Sequence, residues 1–465
     1  MNRDSIDFGK DKVSVLFRRM FIPTLLGMLS VSAMIAIDGI FVGHAVGSIG
    51  IGGINICVPL SMVFTGFGLM IGVGSSVVAS VHLSKDNEKA ARINVTQAVV
   101  FASVVTAVIS VLILTFPGFT AKALGASETL EPYVVDYLIG WIPGCLLQII
   151  GMIGLFVIRL DGAPKLAMWC NVIGSIANIV LDWLFLYPLG MGVFGAAVAS
   201  SISVGIGGVI VLIYMSRYAK RLRFKSIKFS WKSMSLTMRN IGYQAKIGSS
   251  ALLGELTMAV LMYTGNLVFM HYLGDNGVGA FGIACYYLPF VFMVGGAIAQ
   301  SAQPIISYNM TKSPDRSIGV QRIAICTAVA AGLIVTSAFV IFPDALVSLF
   351  LSPEDPTAVI ASGGLPCFAI GYTFFILNLT AIGYYQSVER ISIATVYALL
   401  RSRTPHPVIL APAQVMRHPR YLACDARLGV AHFRHYPRPL FHHRANTDGT
   451  CGKIKKEAAA QPPLM

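Results

Sequence analysis

LAMWCNVIGSIANIVLDWLFLY, residues 166–187, is the stretch whose reading decides the fold. It is long enough to cross a bilayer as a helix, which takes about 20 mostly apolar residues. Yet Asn178 and Asp182 lie inside the apolar run. A carboxylate at that depth costs about 2.5–3.5 kcal/mol on insertion scales, so it faces a cavity or a partner. The four-residue spacing puts amide and carboxylate on one helix face, where both reach one ligand. The plainer alternative is a packing pair, with Asn178 hydrogen-bonding across a helix interface. Charged residues inside spanning helices are functional by default, and that reading leads here.

The rest of the chain agrees with a membrane setting. Of 465 residues, 55% are hydrophobic and only 12% charged, and the mean hydropathy is +0.72. Soluble domains carry about 25% charged residues. The first apolar segment is too long for a secretory leader, is preceded by Asp4, Asp7 and Asp11 among its basic residues, and is expected to stay as the first span. Cys57, Cys145, Cys170, Cys285, Cys326 and Cys367 lie in apolar segments without metal-ligand spacing and read as small core hydrophobes.

Ten hydrophobic segments stand out: 17–43, 54–83, 93–117, 134–158, 166–187, 193–215, 247–272, 278–306, 321–342 and 358–384. The connections between them alternate in charge. The leader, 84–92, 159–165, 216–246 and 307–322 are rich in Lys and Arg, whereas 44–53, 118–133, 188–192, 273–277 and 343–357 have almost none. The positive-inside rule then puts the N-terminus and the 216–246 loop in the cytoplasm, in a multi-pass protein of the cytoplasmic membrane. Topology explains that basic loop better than a nucleic-acid patch, and no nucleic-acid partner is expected.

The chain repeats itself. Pro59 is matched by Pro289, Phe116-Pro117 by Phe342-Pro343, and Pro143-Gly144-Cys145 by Pro366-Cys367, at offsets of 230, 226 and 223. The expected architecture is all-α, with two pseudo-symmetric lobes of six-helix type: residues 1–215, a cytoplasmic connection 216–246, and a second lobe 247–400. Two-fold repeats around a central site are a common transporter build. After Leu400 the composition changes abruptly to Arg, His and Pro, and residues 401–465 hold six of the nine histidines. Segments five and six should recur there, but Arg401, Arg403, Pro405, Pro407 and Pro412 do not suit a spanning helix. The second lobe therefore reads as truncated after its fourth helix and the start of a fifth. The tail reads as an aberrant, disordered basic extension whose composition resembles a shifted reading frame. Zinc binding through Cys424, His432, His435, His442, His443 and Cys451 fits no standard spacing.

A second carboxylate, Asp38, lies in the first segment. At 1.5 Å per residue it sits about 28 Å from Arg19, while Asp182 sits about 25 Å from Lys165, so the two share a level. Ser200, about 12 Å into the sixth segment, falls into the same layer. Asp38, Asn178, Asp182 and Ser200 offer hard oxygen ligands for a small cation or a proton. Two neighbouring carboxylates do not both carry charge cheaply, so such a pair switches with a proton or Na⁺. The alternative is two unrelated polar residues, each packed against backbone. Glu255 is only about 13 Å from Lys246 and belongs to a different level, in the second half or a central cavity. Many of the 26 Phe and 19 Met are on these helices. Such side chains suit promiscuous binding, but most of them pack against lipid or core.

DGIFVGHAVGSIGIGGIN, RLDGAP, NIVLDWLF with LGMGVFGAAVASSIS, and AQSAQPIISYN resemble motifs of the multidrug and toxic compound extrusion (MATE) family, above all its MepA-like bacterial branch. The resemblance covers about residues 10–400 and implies twelve helices in two lobes. It further implies a monomeric antiporter, not an enzyme, that exports amphipathic organic cations against Na⁺ or H⁺ without a cofactor, in contact with membrane lipids. Asp38, Asn178, Asp182 and Ser200 match the family's first-lobe cation site, and Glu255 matches its seventh-helix acid. GYTFFILNLTAIGYY lacks the acid that some relatives place in the tenth helix. Rival readings are a lipid-linked oligosaccharide flippase of the same superfamily, a truncated inactive transporter, and an aspartyl intramembrane hydrolase. The flippase calls for basic spanning residues, which are nearly absent, and the hydrolase for a glycine setting that Ile37-Asp38-Gly39 does not provide.

Overall fold

Prolines and short polar turns punctuate the chain into helices, and the landmarks of the two halves fold alike. In the computed structural model, residues 6–226, 230–349, 354 and 356–403 are described. Among them there is no strand. The helices are α1 (Val13–Val46), α2 (Ser48–Ser84), α3 (Glu88–Thr115), α4 (Pro117–Ala123), α5 (Glu131–Leu160), α6 (Pro164–Leu186), α7 (Gly192–Ile213), α8 (Trp231–Lys312), α9 (Pro314–Ile341), α10 (Pro343–Val347), α11 (Pro356–Ser387) and α12 (Ile391–Arg403). Asn87 caps α3 by accepting from the Ala90 amide at 3.1 Å, and Ser230 caps α8 by accepting from Ser233 at 3.2 Å.

The repeat is visible in local geometry. Phe116 separates α3 from α4 at φ −129°, ψ 58°, and Phe342 separates α9 from α10 at φ −122°, ψ 44°. Each is followed by a proline at the first helical position, where the missing amide does no harm. Pro59, Pro143, Pro289 and Pro366 lie inside α2, α5, α8 and α11.

Among the described residues, nine helical stretches are long and apolar enough to cross a membrane. They coincide with nine of the ten expected segments. Large apolar side chains point outward on them, such as Val104, Val108 and Val111 on α3, Ile334 and Ile341 on α9, and Phe374 on α11. An apolar exterior of this extent is the surface of a protein solvated by lipid, so this is a multi-pass membrane protein.

The expected loop at 273–277 is different: no non-helical residue separates the two expected spans, and both fall within the one element α8. The chain nevertheless reverses there. Phe269 and Phe281 stack with centroids 4.9 Å apart, although a straight helix would separate them by about 18 Å. α8 is thus a folded-back helix whose two arms line α2 and α11.

Of the cysteines described, Cys57, Cys145, Cys170 and Cys285 are buried as expected, whereas Cys326 is exposed on α9. The ISIATVYALL segment begins a helix, α12, which continues through Arg403. Its 13 residues fall short of a bilayer crossing. The remainder of the basic tail, with its histidines and the candidate zinc ligands, lies outside the described residues.

RLDGAP has a physical reading. Asp161 caps α5 and accepts from the Tyr214 hydroxyl (2.7 Å) and the Lys220, Arg221 and Leu222 amides (3.0, 2.8 and 3.1 Å). It ties the chain leaving α7 through a π-helical turn, Tyr214–Tyr218, to the α5–α6 connection. Gly162 turns at φ 86°, a region that favours glycine, and Pro164 starts α6. Asp161→Ala is expected to cost about 1–3 kcal/mol, read as a lower melting temperature and faster proteolysis within 216–226. Unchanged melting and cleavage would show that the loop is held by other contacts.

Candidate functional site

Asp38 and Asp182 meet because α1 packs along α6. A Cβ at Gly27 would lie 3.1 Å from the Met168 backbone, so the two helices run in near contact below the acids. α7 packs on the same helix, where a Cβ at Gly174 would be 3.1 Å from the Ser203 carbonyl oxygen. The four expected residues are therefore gathered from three helices. The Asp38 and Asp182 side chains are within hydrogen-bonding range of each other. Asn178 reaches Ser200 loosely, Nδ2 to Oγ at 3.5 Å.

Asn178 and Asp182 are fully buried. Asp38 Oδ1, both Asp182 carboxylate oxygens and Asn178 Oδ1 are buried and receive no hydrogen bond from a donor. The pairing of the two acids and this lack of donors are compatible: a hydrogen bond between carboxyl groups needs a proton on one, and two carboxylates offer only acceptors. One turn further along α1 and α6, Val42, Leu186 and Ala196 form a buried apolar cluster, with Phe41 packed on it. The Phe41 and Tyr187 rings meet edge to face at 5.9 Å. This plug covers one side of the acids.

On the other side lies a cavity of about 560 Å³, within the usual range for small-molecule sites. α1, α2, α5, α6, α7, α8 and α11 all line it. It reaches Ser175 on α6, one turn short of Asn178. Its apolar wall includes Met28, Met34, Met152, Met293, Phe156 and Phe292. Glu255 also lines it, and so belongs to the cavity and not to the layer of Asp38 and Asp182.

Sequence reasoning missed Arg159. The charge pattern puts it in a basic connection, but it is in the last turn of α5, 2% exposed, with its side chain on the cavity. The signal lay in register: Gly151, Leu155 and Arg159 are four apart and share a face. Among the described residues no cluster of three or more His, Cys, Asp or Glu could hold a metal.

Comparisons with known proteins follow the same outline. The MatE family model matches residues 23–184 and 251–409. The multidrug export protein MepA of Staphylococcus haemolyticus is 26% identical over 408 residues, 85% of this chain and 87% of its own length. The FAD transporter of Shewanella oneidensis is 22% identical over 299 residues, 63% of this chain and 64% of its own. A solved structure of an outward-facing multidrug resistance MATE family transporter superposes with a TM-score of 0.79 at 18% identity, over 92% of this chain and 99% of that one. With matched blocks in both halves of a two-lobed helical fold, the chain belongs to the MatE family, the multidrug and toxic compound extrusion transporters.

Proposed function

We propose that the chain is an antiporter that exports amphipathic organic compounds across the cytoplasmic membrane in exchange for H⁺ or Na⁺. Asp38, Asn178, Asp182 and Ser200 form its coupling site, and the cavity holds the exported molecule against Met and Phe side chains, with Glu255 attracting a cationic group. The observation that carries this reading is the set of four buried oxygens without donors, one turn from the cavity. A buried acceptor left unsatisfied costs about 1–3 kcal/mol, and a proton or Na⁺ between the acids removes that cost. Residues 1–215 and 247–400 act as the two lobes, 216–246 links them, and the N-terminus is cytoplasmic.

Coupling requires that ion and drug change each other's affinity by the same factor. Purified protein should therefore bind a cationic dye with an affinity that shifts by about 5- to 150-fold with pH or Na⁺. The cation that shifts it is the coupling ion. Binding indifferent to both would remove antiport.

Two alternatives remain tied to the same assays. A flippase for lipid-linked oligosaccharides would need several basic groups for a pyrophosphate; among the described cavity-lining residues Arg159 is the single Arg or Lys. A truncated, inactive transporter would move dye into proteoliposomes no faster than empty vesicles do.

A further inference from the structure

The end of α7 gathers cations that the fold itself does not neutralise. Arg217, Lys220 and Arg223 are exposed, and among the described residues no carboxylate forms an ion pair with them. The nearby acid, Asp161, is spent on the Tyr214 hydroxyl and three amides. Arg223 folds back beside Arg217, donating through Nε to the Ser216 carbonyl at 2.6 Å. The backbone that carries them is pinned. Phe224 donates to the Met215 carbonyl at 3.1 Å, and Arg92 to the Lys220 and Arg221 carbonyls at 3.2 and 2.8 Å. Like charges are thus held together against their repulsion. Membrane topology accounts for their sign but not for this clustering.

The second observation is an apolar strip that runs into them. Ile202, Val209 and Ile213 are exposed and share one face of α7. Arg217 and Tyr218, also exposed, follow one turn later in the π-helical turn. The strip therefore passes from hydrocarbon-facing side chains to a cation and a phenol within a single turn.

α6 adds a parallel strip: Trp169, Ile173 and Ile176 are exposed on one of its faces. The two helices are antiparallel neighbours, joined at their other end by residues 187–191. Counted at about 100° per residue, each strip lies about 100–130° before the contact of Gly174 with Ser203. In antiparallel helices that puts both strips on one outer face. Trp169 is near the start of α6, so it and Tyr218 stand at the same end, as the amphipathic rings of a headgroup layer do.

We propose that this face is a binding site for an anionic phospholipid, with the phosphate held by Arg217, Lys220 and Arg223 and the acyl chains laid along the α6 and α7 strips. Charge complementarity selects the headgroup, since basic groups at the end of spanning helices attract anionic lipids and not neutral ones. The apolar strips select a lipid over a free anion. The site is on the outer surface of the first lobe, away from the central cavity, and does not depend on which ion or compound the chain carries.

The test titrates dioleoyl phosphatidylglycerol and dioleoyl phosphatidylcholine into the purified full-length chain in neutral detergent, with bound lipid counted by native mass spectrometry. The parent should retain phosphatidylglycerol in preference to phosphatidylcholine. The double variant Arg217→Gln/Lys220→Gln is expected to weaken phosphatidylglycerol about 25-fold, about fivefold for each charge removed, and phosphatidylcholine by less than about twofold. Neither side chain bonds within the protein, and an unchanged melting temperature in lipid-free detergent would show that the variant is folded. Lys85→Gln/Lys89→Gln removes the same charge from the exposed connection between α2 and α3, and should weaken phosphatidylglycerol by less than about threefold. Dihexanoyl phosphatidylglycerol, whose chains are too short for the strips, should bind at least about tenfold more weakly than the dioleoyl lipid. Equal retention of the two dioleoyl lipids by the parent, undiminished phosphatidylglycerol in the first variant, or equal weakening in both variants would overturn the site. So would displacement by millimolar inorganic phosphate, which would leave a surface for free anions.

Discussion

Replacing Asp182 by asparagine is expected to abolish ion-driven export and erase the ion dependence of drug binding, while the folded protein becomes no less stable. The two halves of this expectation come from the same atoms. Asp38 Oδ1 and both Asp182 oxygens are buried acceptors without donors. An amide at position 182 keeps the shape and adds an NH₂ group that can donate to Asp38. The unsatisfied acceptors therefore become fewer, and the melting temperature should hold or rise. What the amide lacks is a charge to exchange. It neither binds and releases a proton nor neutralises Na⁺, so the coupling free energy of about 1–3 kcal/mol disappears. Asp38→Asn should behave alike, because the two carboxyl groups face each other. Ser200→Ala should be far milder, since its only contact in the group is the long 3.5 Å approach from Asn178. The measurement is dye efflux from proteoliposomes under an imposed ion gradient, alongside dye affinity with and without the ion. Efflux at the wild-type rate in both single variants would take this acid pair out of the mechanism.

How much of this was legible in the sequence follows from what a helix fixes. Rise per residue is constant, so depth counts for Asp38, Asp182 and Ser200 put them in one layer, and the helices do bring them together. The azimuth of a side chain is not fixed by counting, because it depends on which helices pack together. Thus Glu255 could be assigned a level but not a wall of the cavity. Arg159 failed for another reason. A basic residue next to a turn usually marks topology, and only the continuation of α5 to Leu160 turns it inward. The reversal at 273–277 was legible as the connection between two spans, whereas the absence of a non-helical loop there was not, because composition does not show how tightly two helices can abut. Proline landmarks were more informative: Phe116-Pro117 and Phe342-Pro343 constrain the same backbone angles wherever they occur, and the two breaks have nearly equal geometry.

A methyl group at Gly74 or at Gly248 is expected to open the seam between α2 and α8. A Cβ at Gly74 would fall inside the Gln244 carbonyl oxygen, and one at Gly248 inside the Met70 carbonyl oxygen. The pairs are reciprocal and four residues apart on each helix, so neither backbone can give way without moving the other. Small residues let membrane helices approach this closely. Other bonds hold the same end of the bundle. Gln244 donates to Asn94 Oδ1 at 3.2 Å, Ser80 bonds Ser307, and Lys312 pairs with Asp86 at 3.0 Å. These contacts join α2, α3 and the turn between them to α8, and transport requires that they part and re-form if the cavity is to serve both sides of the membrane. Overpacking a tight contact costs about 1–3 kcal/mol, which shifts the balance away from this closed arrangement by about 5- to 150-fold. Gly74→Ala and Gly248→Ala should therefore lengthen the distance between spin labels at positions 86 and 312, and raise thiol labelling of a cysteine placed at position 80. Spin-label distances and labelling rates equal to those of the parent would mean that the seam absorbs the methyl group locally and is not the contact that opens.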